Sequence, residues 1–221
     1  MKSPRSGVAL NCICCNLTAR LYPFSLQKKD METEHYIDLL ERYGQVSYAM
    51  RAYLMVVVKT EVYQKHQRLS LNSLTHGQYA LITDGAMRLF ASGDENLSEN
   101  TLAFWFKGNF IPCFGNGRTP FAGQLSIEFM AETQILSIPE KHTLSILKIF
   151  RESAKIFQAS HWEQQSHLID QLLIRNSLSA ASGYEAILRL QPDIAKNATV
   201  RDIASFLGID ERTLSRIRAG R

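Results

Sequence analysis

The spacing of apolar positions changes along the chain, and each change marks a new kind of element. Residues 1–30 hold no sustained period, and Pro4, Gly7 and Pro23 interrupt it further. From Met31, an acidic first turn (Glu32, Glu34) followed by Ile37 and Leu40 predicts a helix, because carboxylates favour the positive end of a helix dipole. From Val56 the pattern shortens to strand-like runs: Val56–Tyr63, Tyr79–Thr83, Ala86–Phe90, Thr101–Phe106, Gln124–Phe129 and Thr133–Ile138. Gly and Asn bound them, and Asp84-Gly85 is a turn signal. Runs at this spacing predict an antiparallel barrel or roll rather than a parallel sheet. Pro139-Glu140 suits a helix start. Beyond it Ile146, Ile149, Ser153, Ile156 and Ser160 recur at three and four residues, Phe150, Ala154 and Phe157 widen the stripe, and Leu168, Ile169, Leu172 and Leu173 resume it. One helix over about 140–177 is expected, with more apolar surface than one neighbour covers. A second copy of the chain would bury the excess economically; an intramolecular bundle with the last helices is the alternative. Ser179-Ala-Ala-Ser-Gly-Tyr-Glu reads as a loop and cap leading into a helix over Tyr184–Leu190, which Gln191-Pro192 ends.

The last stretch, Val200 to Arg218, has the sharpest local grammar. Ile203, Ala204 and Leu207 make one apolar face of a short helix. Gly208 then permits the positive φ of a tight reversal. Asp210 can cap a second helix, whose buried stripe is Leu214 and Ile217. Ala204 is small enough for two helices to cross steeply. Arg212, Ser215, Arg216 and Arg218 are left for the solvent side of the second helix, the layout of a DNA-binding helix-turn-helix. A plain helical hairpin with an arginine-bearing surface is the alternative.

Composition narrows the partners. The 221 residues suffice for one large domain or a medium one plus a small one, and 45% hydrophobic with 21% charged residues is ordinary for a globular protein. A net charge of +4 permits nucleic acid as a partner without requiring it. No apolar run is long enough to span a bilayer. Lys2, Arg5 and Val8–Leu17 make a poor signal peptide, since Asn11, Asn16 and cysteines interrupt the apolar region. A cytoplasmic protein without a membrane partner is expected. Three of the four cysteines, Cys12, Cys14 and Cys15, crowd the N-terminus away from Cys113, which argues against a disulfide framework. His35, His66, His76, His142, His161 and His167 are too scattered for a cupin-type metal site. No Gly-x-Ser-x-Gly, phosphate-binding loop or paired catalytic carboxylate occurs, so no enzyme is expected.

Strands, a long helix and a C-terminal helix-turn-helix, in that order, resemble the plan of the Crp/Fnr transcription regulators. The resemblance is carried by Tyr79-Ala-Leu-Ile-Thr-Asp-Gly-Ala-Met-Arg-Leu-Phe, by Glu99-Asn-Thr-Leu-Ala-Phe-Trp-Phe-Lys-Gly-Asn-Phe-Ile, by Ser182-Gly-Tyr-Glu-Ala-Ile-Leu-Arg-Leu-Gln-Pro-Asp, and by Asp202-Ile-Ala-Ser-Phe-Leu-Gly-Ile with Thr213-Leu-Ser-Arg-Ile-Arg. It spans about 31–218 and is closest to short members lacking a β-hairpin wing. It implies an α+β fold with an antiparallel β-roll, a double-stranded jelly-roll-like sensor domain at 31–139. A dimerisation helix at 140–177 and a helix-turn-helix domain at 178–221 would follow, with 1–30 a disordered or dispensable extension. It also implies double-stranded DNA, a second copy of the chain and RNA polymerase as partners, and a small-molecule effector that stays unidentified.

Site residues carry over position by position. The Fnr branch reads DNA with Glu-x-x-Ser-Arg. Here Ser215 and Arg216 match the last two, but Arg212 stands at the Glu position and the acid lies at Glu211. Arg216 can pair bidentately with guanine. Ser215, Thr213 and Arg201 suit phosphate contacts or fixing of the helix. Arg201, Glu211, Arg212, Thr213, Ser215 and Arg216 are therefore the expected DNA-binding set. Cyclic-nucleotide binders of the family resemble one another in a Gly-Glu pair followed by Arg-Ser or Arg-Thr. Here Gly108 precedes Asn109, and Arg118-Thr119 falls in a variable loop when counted back from Ile138-Pro139. Without both charge partners a cyclic nucleotide is disfavoured. Phe114, Phe121, Phe129 and Met130 read as core, with an apolar effector pocket as the alternative. An iron–sulfur cluster on Cys12, Cys14, Cys15 and Cys113 is a further alternative, opposed by the tight Cys-x-Cys-Cys spacing; otherwise no cofactor is expected. The competing reading of the whole chain is a ligand-binding or protein-interaction module with a vestigial helix-turn-helix.

Overall fold

The computed structural model describes residues 24–71, 79–92, 99–112 and 125–220. It opens with two helices, α1 (Phe24–Glu41) and α2 (Tyr48–Val57). α1 runs through Met31, so residues 24–30 share a helix with the segment expected to begin there. Ser47 caps α2 by accepting from the Met50 amide, and Met50, Leu54 and Val57 line its buried face. The strand expected from Val56 starts only at Lys59. The stripe at 50, 54 and 57 keeps Val56 and Val57 helical against their β-branched preference, a case of packing overriding propensity.

The strands are β1 (Lys59–Tyr63), β2 (Arg68–Ser70), β3 (Tyr79–Asp84), β4 (Ala86–Ala91), β5 (Asn100–Phe106), β6 (Phe110–Ile111), β7 (Leu125–Phe129) and β8 (Thr133–Ile138). They form two four-stranded antiparallel sheets, ordered β1-β8-β3-β6 and β2-β7-β4-β5. The expected antiparallel roll is therefore present. Asp84-Gly85 does not close a hairpin within one sheet; it carries the chain from one sheet to the other. Gly85 has φ +91°, and a Cβ there would lie 2.5 Å from the Glu132 carbonyl, so no side chain fits this corner. Ile82, Met87, Trp105, Ile127, Phe129 and Ile135 fill the space between the sheets. A second cluster packs α1 and α2 against the outer sheet through Tyr36, Leu40, Leu54, Leu81 and Leu136.

The single helix expected over 140–177 is two: α3 (Glu140–Ile149) and α4 (Ser153–Ser177). Phe150 adopts extended dihedrals, and the Ser153 hydroxyl bonds the Phe150 and Ile146 carbonyls, which fastens the corner. Phe150 thereby packs beside Tyr53, with ring centroids 5.8 Å apart. Ile149, expected in the buried stripe, is 61% exposed as a result.

α4 carries apolar residues on both sides, with Ile156, Phe157 and Ile174 in the core. Its buried stripe includes Ser153, Ser160, Gln164 and Gln171, whereas Trp162, Ile169, Leu172 and Leu173 are exposed. Gln171 has a specific task. Its side-chain amide accepts from the Phe104 amide at 2.8 Å and donates to the Phe104 carbonyl at 3.0 Å, standing in for the missing neighbour of edge strand β5.

Four helices complete the described residues: α5 (Ala180–Leu190), α6 (Ile194–Asn197), α7 (Val200–Leu207) and α8 (Glu211–Ala219). Ser179 caps α5, which starts earlier than the expected Tyr184. Gly183 lets α5 approach Leu207 and the Ile174 carbonyl closely; a Cβ there would lie 3.2 and 3.3 Å from them. A third core cluster joins these helices to the roll, with Ile187, Ile203, Phe206, Leu207 and Leu214 against Phe104, Phe106 and Met130.

Candidate nucleic-acid interface

The α7–α8 hairpin follows from its own residues. Thr199 and Asp202 form a reciprocal capping box at the start of α7. Gly208 ends the helix at φ +68°, and the Ile209 amide bonds back to the Ala204 carbonyl. Asp210 caps α8 by accepting from the Thr213 amide at 2.9 Å. Ile203, Ala204, Leu207 and Leu214 are buried, as their spacing predicts.

The six expected contact residues fall into three groups. Arg212, Ser215 and Arg216 lie exposed on the side of α8 away from Leu214. Thr213 is half-buried and belongs to the cap: its hydroxyl donates to Asp210 at 2.8 Å and accepts from the Arg216 guanidinium at 3.0 Å. Arg216 is thus drawn back over the N-terminal turn of α8, a conformation that removes part of its rotamer freedom before any ligand arrives. The hydrogen bonds from the Thr213 side chain and backbone hold the Asp210 carboxyl below its ordinary value, so the cap stays ionised. Glu211 is exposed beside it. Arg201 sits on the other helix, and with Arg212 and Arg175 it lines an open cleft between the hairpin and the β4 and β5 ends of the roll. Chemically the surface offers bidentate donors over a helix N-terminus, which fits polyanions and base edges.

Sequence reasoning missed a charged cluster behind this surface. Arg88 and Glu128 are buried at 5% and 7% exposure, and Arg88 reaches Glu99, Thr101 and Asp202 besides. An arginine inside the apolar strand Ala86-Met87-Arg88-Leu89-Phe90 was a legible sign that partners exist, since a guanidinium is not buried alone. Which partners they are was not legible.

Of the segment expected to resemble a nucleotide cassette, the structure describes the turn at Gly108-Asn109. Gly108 has φ +87°, and the Asn109 side chain accepts from the Phe106 amide at 2.9 Å, so Asn109 closes a turn. Phe129 and Met130 are core, with Phe129 stacked on Tyr63 at 4.3 Å. Arg118, Thr119, Phe114 and Phe121 lie outside the described residues, as do all four cysteines expected for a cluster. Among the described residues no helix is long and apolar enough to cross a membrane.

No protein-family model matches the chain, and no curated protein does. Solved structures do. FixK2 from Bradyrhizobium japonicum aligns with a TM-score of 0.58 at 16% identity, over 75% of this chain and 84% of its own. A protein from Eubacterium rectale described as a transcriptional regulator of the Crp/Fnr family gives 0.57 at 17%, over 79% and 83%. A cyclic nucleotide-binding domain containing protein from Listeria monocytogenes gives 0.58 at 11%, over 85% and 88%.

Proposed function

We propose that this chain, which has the fold of Crp/Fnr-type regulators, is a sequence-specific DNA-binding transcription regulator and not an enzyme. The observation that carries the reading is α8: Arg212, Ser215 and Arg216 share one exposed face, and the Asp210–Thr213–Arg216 hydrogen-bond chain presets Arg216 at its reading end. Arg216 would take a guanine edge, Arg212 a base or phosphate, and Arg201, Thr213 and Ser215 the backbone. Glu211 flanks this face and would disfavour misplaced phosphates. Arg212 in place of a glutamate implies a half-site different from that of the Fnr branch.

The unit that binds DNA is a homodimer. Trp162, Ile169, Leu172 and Leu173 form an exposed apolar stripe along α4, on the side away from the buried Ile156, Gln164, Gln171 and Ile174. An exposed apolar stripe of this length is what a helix shows when a second copy covers its outer side. Two α8 helices must then stand about one DNA turn apart, roughly 34 Å, for both to enter the groove. The roll would sense a small molecule other than a cyclic nucleotide, since Asn109 offers no carboxylate to a ribose. RNA polymerase is the downstream partner if the regulator activates.

Arg216→Ala tests the reading. Specific affinity for an operator recovered from genomic fragments should fall by about 1–3 kcal/mol, with the sedimenting species unchanged. The wild type should also show a steep salt dependence from phosphate neutralisation. Equal affinity of wild type and variant on that operator would remove the base-contact role.

A further inference from the structure

The helix-turn-helix is fastened to the roll by polar contacts on one side of α7, opposite in kind to the apolar packing around them. Four hydrogen bonds hold the Arg88 guanidinium inside the roll. Nε and Nη2 donate to Glu128 Oε2 at 3.1 and 2.5 Å, Nη2 to Glu99 Oε2 at 2.7 Å, and Nη1 to Thr101 Oγ1 at 2.9 Å. Nη1 also stands 3.1 Å from Asp202 Oδ1, on α7. Asp202 divides its carboxylate between two tasks. Oδ2 accepts from the Thr199 amide and hydroxyl at 3.1 and 2.7 Å to cap α7, and Oδ1 faces Arg88. The N-terminal turn of the first hairpin helix is therefore completed by an ion pair with the roll.

One helical turn further on, Ser205 makes a second tie. Its hydroxyl accepts from the Thr101 amide at 2.9 Å and donates to the Glu99 carbonyl at 3.0 Å, occupying open backbone groups at the start of edge strand β5. Phe206 adds an apolar contact beside it, its ring 5.3 Å from that of Phe104. Positions 202, 205 and 206 share one helical face. Three of the expected DNA contacts on α8, Arg212, Ser215 and Arg216, are left in solvent by this docking.

We propose that Arg88, a residue of the sensor roll, is a positioning residue for DNA reading: through its ion pair with Asp202 it sets the angle at which α7, and α8 packed on it, is held. The proposal rests on the DNA-binding function argued above. Charge accounting supports a coupling rather than a roll-only role. Within the roll, Glu99 has Arg68 and Arg88 as partners and Glu128 has Arg68, Arg88 and His66, so both carboxylates of the roll are paired without Asp202. The third carboxylate comes from the reader and is 8% exposed there. A buried, charged contact of this kind is directional, and it fixes orientation where apolar packing alone would tolerate sliding.

Asp202→Asn isolates the coupling in the full chain. The amide oxygen can still cap α7, and Arg88 keeps its four bonds within the roll. Two readouts are needed. Amide hydrogen exchange, measured without DNA, should quicken in peptides covering 99–106 and 200–207 and stay unchanged in 133–138. Affinity for the operator selected by the wild type should fall on the order of tenfold, the usual range for coupling between two sites. Arg88→Met combined with Asp202→Asn should bind no more weakly than Arg88→Met alone, since both act through one contact. Unchanged exchange in D202N would overturn the docking role, and unchanged or tighter operator binding would overturn the positioning role. If the wild type selects no operator, the function fails while the exchange result still decides whether the contact fixes the hairpin.

Discussion

α7 and α8 are neighbours in one hairpin, eight and nine residues long, yet the chain treats them in opposite ways. Asp202, Ile203, Ala204, Phe206 and Leu207 of α7 are buried, while α8 buries Leu214 alone. α7 is committed on two sides, to the hairpin core and to the roll; α8 touches the molecule along one edge and gives the rest to solvent. A helix-turn-helix needs both conditions at once. If α8 reads DNA as proposed, it must be free to enter a groove, and its angle must be set by something that does not move. In the proposed reading a short hairpin provides both by burying most of one helix and leaving Arg201 and the outer face of the other to solvent.

That contrast can be broken from the anchored side. Phe206→Ala removes a fully buried ring from the junction of α7 with β5 and should lower stability by about 3–5 kcal/mol, read as a shifted urea midpoint. Acid acts on the same junction. Burial would by itself raise the carboxyls of Glu99 and Glu128, but hydrogen bonds outweigh it, from Arg68 and Arg88 to Glu99 and from Arg88 and His66 to Glu128, and both are held below the ordinary range. A depressed carboxyl contributes stability above its unfolded value and loses it as pH falls through the folded one. The urea midpoint should therefore drop as pH falls below about 4, and Glu128→Gln should flatten that dependence. An equal slope in the two proteins would count against the cluster as its source.

Smaller changes sharpen the comparison at the turn and on the free side. Gly208→Ala meets no atom within 4 Å, so only the left-handed backbone resists it, at a cost of roughly 1–2 kcal/mol in thermal or urea unfolding. Arg218→Ala, exposed near the end of α8, should stay within about 0.5 kcal/mol of the wild type in the same assay. A large loss there would mean that α8 is anchored far more firmly than its contacts indicate.

Much of the hairpin was legible because its determinants are near neighbours. Gly208, Asp210, Ala204 and Leu214 each act within a turn or two, and each does what its spacing implies. The strands β3, β4, β5, β7 and β8 were legible for the same reason, each being five to seven residues of apolar or alternating pattern. β2 and β6, of three and two residues, are too short to show a period. The corner at Phe150 was hidden inside an unbroken helical stripe, because neither the Ser153 bonds that fasten it nor the contact of Phe150 with Tyr53 on another helix leaves a mark in the apolar spacing.

By itself, then, the amino-acid sequence determined the order and kind of most elements, the Asp210 cap and the turn of the hairpin, and the side of α8 that carries arginines. These are set by dihedral preferences and apolar periods within a few residues. Only the tertiary structure decided which sheet each strand joins, that Gln171 and Ser205 fill the open side of β5, and that Arg88 and Asp202 meet. Such pairings join residues far apart along the chain, and many partners of equal chemistry compete for each. Close packing and the cost of leaving a buried charge alone select one of them.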